Sequence, residues 1–148
     1  MWATASLPYN RGMDTATSPS APRFAVAGSL LEALAARDFD RVSASFEDAA
    51  SLSALLPRGL CEWQGAAEIG AAFFGWFGDH DDFEVVDASV GQVGSRLQLR
   101  WRVRVRGARF DGETRVAEQH AYADTGATGR IRSMVLLCSG FCTGCSDV

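Results

Sequence analysis

Residues 96–106, RLQLRWRVRVR, alternate without a break. Leu97, Leu99, Trp101, Val103 and Val105 occupy one parity, and Arg96, Gln98, Arg100, Arg102, Arg104 and Arg106 the other. Successive residues of a strand point to opposite faces, whereas a helix would scatter both classes around its circumference. The segment is therefore a strand with one apolar and one cationic face. Such a strand needs neighbours in a sheet, and its apolar row needs a second layer to cover it.

The same period of two runs through 83–93, 114–123 and 130–138, which predicts a four-stranded meander in the second half of the chain. The first half reads differently. Phe24, Ala27, Leu30, Leu31 and Leu34 recur at helical spacing. Asp38 suits the N-cap of a short second helix with Phe39, Val42 and Phe46 inward. The apolar run 51–56, stopped by Pro57, predicts a strand or irregular edge. Gly65 precedes a third helix with Ile69, Phe73, Trp76 and Phe77 as an aromatic stripe, ended by the segment from Gly78 to Asp82. Helices first and long strands afterwards make an α+β fold.

The 148 residues, 47% of them hydrophobic, suffice for one core without disulfides or metal. A formal net charge of −4 argues against a protein that coats nucleic acid or an anionic membrane. Every basic residue apart from the two histidines is Arg, so lysine Schiff-base chemistry is excluded. The Ala/Ser/Thr/Pro-rich stretch 1–22 reads as a disordered leader, 23–141 as the domain and 142–148 as a cysteine-containing tail. No apolar run has the length of a membrane span or the form of a signal peptide, and the expected location is cytoplasmic.

Two turns set an expected register. Gly94-Ser95 suits a two-residue hairpin, which places Asp87 opposite Arg102 and Ala88 opposite Trp101. Asp111-Gly112 suits another, which places Val105, Val103 and Trp101 opposite Glu118, His120 and Tyr122. Cross-strand partners share a face, so Glu118, His120 and Tyr122 are expected on the apolar side, with Glu84 near Val105 at the same end. A one-residue slip reverses that expectation.

With its Ala/Leu helix ending at Asp38, Phe46-Glu47-Asp48-Ala49, Gly65 before an aromatic helix, and a meander closing on Gly129-Arg130-Ile131, the chain resembles the NTF2-like superfamily, especially its SnoaL-like branch. The resemblance covers about 24–141. It implies a cone of helices and curved sheet around a ligand cavity, with dimerisation through the outer sheet face. Ketosteroid isomerases of this group carry an acidic base where Asp48-Ala49 aligns Ser53. SnoaL-type cyclases carry a His after a Gly-Thr pair, matched here by Gly107-Ala108-Arg109, and an Asp on a last strand that here has no acid.

Within the expected register, His120 would transfer a proton, Glu118 would make it a better base and Tyr122 would polarise a carbonyl. Trp101, Val103, Trp63, Phe73 and Phe77 would line the ligand site. Two readings stay open: a cofactor-free isomerase, cyclase or hydratase, and a non-catalytic carrier or interaction module. An enzyme or a carrier takes a small, mainly apolar molecule, whereas an interaction module need not have a cavity; a homodimer is expected, with neither nucleic acid nor membrane as partner. Cys138, Cys142 and Cys145, with Cys61, could offer thiolates to a metal. The expectation is no metal, no cofactor and a tail dispensable for folding.

Overall fold

The computed structural model describes residues 20–144; most of the leader and Cys145 lie outside them. Three helices, α1 (Ser20–Ala35), α2 (Phe39–Ala44) and α3 (Ala66–Phe77), pack on one face of a six-stranded sheet. Its strands are β1 (Phe46–Leu56), β2 (Gly59–Gln64), β3 (Asp82–Val93), β4 (Arg96–Arg106), β5 (Thr114–Thr125) and β6 (Ile131–Cys138), in the order β2-β1-β6-β5-β4-β3. Every neighbouring pair is antiparallel except β1 and β6. The α+β plan is thus as the periodicities predict, with β2 added and β1 longer than the run 51–56. None of the helices is long and apolar enough to cross a membrane.

The helix faces follow from spacing. Ala27, Leu30, Ala33 and Leu34 are buried on α1. Phe24, expected inward, is 41% exposed in the first turns of that helix. Asp38 caps α2, its Oδ1 accepting from the Arg41 N–H at 3.2 Å. Phe46 is buried as expected, but as the first residue of β1 rather than the last of α2. Gly65 opens α3, where Ile69, Phe73 and Phe77 are buried and Trp76 partly so. At Gly70 α2 and α3 are in close contact: a Cβ there would lie 2.9 Å from the Ser43 Cβ, so a larger residue would push the helices apart.

The register of β3 and β4 agrees with the Gly94-Ser95 turn: Val93 pairs with Arg96, Asp87 with Arg102 and Ala88 with Trp101. Beyond Asp87 the pairing shifts, with Val86 as the extra residue of a bulge, and Glu84 pairs with Arg104 instead of Val105. The β4–β5 register departs further. The connection is a 3₁₀ turn over Ala108–Phe110, followed by Asp111 and Gly112, both at positive φ, and pairing resumes only at Arg106 and Thr114. Trp101 therefore faces Gln119, Val103 faces Ala117 and Leu99 faces Ala121. The offset from the expected pairing is odd, so the faces of β5 exchange. Glu118, His120 and Tyr122 lie on the outer, arginine side, and Ala117, Gln119, Ala121 and Ala123 are buried inside.

Between α3 and the sheet the core is filled with aromatic rings. Phe73 sits among Phe46, Trp76, Phe77 and Trp101 at ring-centroid distances of 5.1–6.5 Å. Large aromatic rings on α3 and β4 leave little room on the inner face of β5, where Ala117, Ala121 and Ala123 are small and Gln119 is the one long side chain among them.

Candidate functional site

A space bordered by apolar residues lies where α3, the β1–β2 turn, the 3₁₀ turn, the first half of β5 and the end of β6 meet. It is an open cavity of about 490 Å³. Leu56, Phe77, Ala117 and Gln119 are its buried floor, Trp76 and Phe141 are half-buried walls, and Arg58 and Arg109 stand exposed around it. Of the residues expected to bind ligand, only Phe77 lines this space. Trp101, Val103 and Phe73 are buried beneath it, and Trp63 packs edge-on against Trp76 at 5.6 Å. Gln119, Cys138, Phe141, Arg58 and Arg109 were not anticipated as lining residues. Only the β4–β5 register could have revealed Gln119.

One polar chain runs through the floor. The Trp101 indole donates to Gln119 Oε1 at 2.7 Å, and Gln119 Nε2 donates to Cys138 Sγ at 3.3 Å. An indole N–H can only donate, so the amide orientation of Gln119 is fixed by its partner. The Gly140 N–H also donates to Cys138 Sγ, at 3.4 Å. The indole N–H of Trp101 and the amide oxygen of Gln119 are thereby satisfied without an ionised group. Behind the Arg109 wall, His80 stacks on Phe110 at 5.9 Å and contacts Phe141. Its Nε2–H donates to the Trp76 carbonyl at 3.0 Å, and its buried Nδ1 has no partner among the described residues.

The triad proposed from sequence forms a different object. His120 and Glu118 do meet, Nε2 to Oε2 at 2.6 Å, but on the outer face. There the arginines of β4 are matched one by one: Arg96 with Asp124, Arg100 with Asp87, Arg102 with Glu118, Arg104 with Glu84 and Arg106 with Asp82. The Glu118 carboxyl is held below its ordinary value near 4.5, first by the His120 hydrogen bond and then by that of Arg102, against a smaller opposing effect of burial. A carboxyl depressed in the folded state stabilises at neutral pH and loses that contribution as pH falls through its folded value. Glu118→Gln is therefore expected to cost about 1 kcal/mol at pH 7, a charged hydrogen bond discounted for partial exposure. Urea unfolding at pH 7 and at progressively lower pH checks this: the gap between parent and variant should close below 4.5. A gap that persists would mean that the carboxylate is not ion-paired.

No protein-family model matches the sequence, and no curated protein does. Solved structures do match. A protein of Xanthomonas campestris pv. campestris provisionally assigned as a polyketide cyclase superposes with a TM-score of 0.66 at 19% identity, covering 81% of this chain and 92% of its own. An NTF-2 like protein of unknown function from Burkholderia xenovorans LB400 gives 0.59 at 16%, covering 87% and 89%. The fold is NTF2-like. An Agrobacterium tumefaciens structure of the SnoaL-like family, provisionally an isomerase, gives 0.56 at 18%, covering 81% and 99%. The described residues include no group of three or more His, Cys, Asp or Glu placed to hold a metal ion.

Proposed function

We propose that this NTF2-like protein binds a small, mainly apolar molecule in this cavity, as a carrier rather than as an isomerase or cyclase. One observation carries the reading: the cavity has an aromatic and aliphatic lining with a few fixed polar groups, the usual make-up of a small-molecule site, and neither a carboxylate nor an imidazole among the described residues that line it. Acid–base catalysis needs a proton-exchanging side chain within hydrogen-bond reach of the substrate, and the Cys138 thiol in the lining is already engaged by Gln119 Nε2 and the Gly140 N–H. His120 and Glu118 are on the far side of the sheet.

Ala72 sits on α3 facing the cavity. Ala72→Phe should fill it and weaken binding of the neutral dye Nile red by roughly tenfold or more, because the ring takes space that a ligand would use. Fluorescence titration of parent and variant measures this. Undiminished binding by a folded variant would remove the cavity as the ligand site.

The outer face supports a second copy as partner. Leu60, Leu55 and Leu137 pair across β2, β1 and β6, with Val135 beside them, and these four are 46–63% exposed. A contiguous apolar row next to a charge-balanced ladder is the composition of an interface core with a polar rim. We infer a two-fold dimer through this face, centred on the leucines rather than on the arginines.

A further inference from the structure

Among the arginines whose side chains are described, Arg37, Arg58, Arg109 and Arg132 form no ion pair within the described residues. Arg37 is used structurally, donating to the His80 carbonyl at 2.9 Å. Arg58 and Arg109 both border the one cavity described above, and no Asp or Glu shares its lining. Arg109 is held in place: its guanidinium lies 5.1 Å from the Phe141 ring centre and 5.5 Å from that of Phe110, and Nη1 reaches the Gly75 carbonyl at 3.4 Å. Arg58, in the β1–β2 turn, makes no hydrogen bond or ion pair among the described residues. In a chain of net charge −4 whose β4 arginines are all matched to carboxylates, two unmatched guanidinium groups beside one apolar cavity are a local reversal of charge.

We infer that the ligand is an amphiphile with an anionic head group, bound by Arg58 and Arg109 at the mouth, and an apolar body lying against Phe77, Phe141 and Leu56. This rests on the cavity being a ligand site, and it adds the class of ligand. Guanidinium groups present several N–H donors in a planar fork that matches the oxygens of a carboxylate or a phosphate monoester. Those two heads share the recognition chemistry, and the test separates them. The exposed position of both arginines means that the attraction weakens as salt rises.

The experiment is displacement of Nile red by decanoate, decanol and monodecyl phosphate from the parent protein, Arg58→Gln, Arg109→Gln and the double variant. Decanoate or the phosphate, or both, should bind about tenfold or more tightly than decanol at low salt, the size expected for a charge-assisted contact. That ratio should shrink in each single variant, approach one in the double variant, and fall with added salt, while decanol affinity stays unchanged. The tighter of the two anions assigns the head group. Arg58→Gln removes no internal contact, so its folding is not at issue even if Arg109→Gln loosens the packing of Phe110 and Phe141. Equal affinity for decanol and both anions in the parent overturns the anionic head while leaving the cavity as a site. An anion preference that survives the double variant assigns it to other groups and overturns the role of these arginines. Displacement by none of the three overturns the ligand site as well.

Discussion

Trp101→Ala should lower the free energy of unfolding by about 3–5 kcal/mol, a large part of the total for a domain of this size. Trp101 is fully buried, its ring lies 6.1 Å from that of Phe73, and its N–H supplies the donor for Gln119 Oε1. Removal opens a cavity among rings that cannot all move inward and leaves a buried amide oxygen unpartnered. Trp101→Phe separates the two effects. It keeps most of the apolar volume but leaves Gln119 without its donor, which should cost about 1–3 kcal/mol. Urea denaturation of both variants tests the pair. A loss well under 1 kcal/mol for Trp101→Ala would mean that the aromatic core repacks freely and that the floor of the cavity is not rigid.

Leu55→Glu should break the proposed dimer into monomers. Leu55 lies between Leu60 and Leu137 in the exposed row of the outer face, so a second copy seated there would force the carboxylate out of water among apolar groups. A two-fold axis near the row would also bring two such charges together. The dissociation constant should rise about a hundredfold or more, the scale of one uncompensated buried charge in an interface. Sedimentation velocity at micromolar concentration reads the mass directly, and the melting curve of the monomer shows whether the fold survives. A parent protein that sediments as a monomer would remove the dimer reading. Arg104→Ala, at an exposed ion pair, is the contrasting control and should change little.

The legible parts of this fold are those specified by local chemistry. The β3–β4 turn has Gly94 at φ 61 and a two-residue loop, so its register could be counted outward from the turn. The β4–β5 turn contains the same kind of dipeptide, Asp111-Gly112, but its left-handed residues close a 3₁₀ turn, with the Gly112 N–H donating to the Gly107 carbonyl at 2.9 Å. Counting from that dipeptide misplaces β5 by an odd number of residues. Hydrophobicity could not repair the error, because Tyr122 looks a better core residue than Ala117. Charge pairing could have: Glu118 opposite Arg102 satisfies both, whereas Glu118 opposite Val105 satisfies neither. The candidate site suffered accordingly. Its aromatic floor was partly anticipated through Phe77. Gln119 depended on the register, and Arg58 and Arg109 gain meaning only when loops distant in sequence are brought around one cavity.

The parallel pairing of β1 with β6 has a consequence for synthesis. Phe46 meets Ile131 and Leu55 meets Leu137, so one of the first strands to be translated joins the sheet through the last. At ribosomal rates the intervening chain takes on the order of ten seconds to emerge. During that interval β1 can pair with β2 but has an open edge on its other side, and the apolar residues Leu52, Ala54 and Leu56 lack their sheet neighbours. An unpaired apolar edge is a template for association with other nascent chains. A ribosome stalled before β6 would hold a half-built cone in the state most prone to capture by a holding chaperone, and release of the final strand would end that dependence in one step.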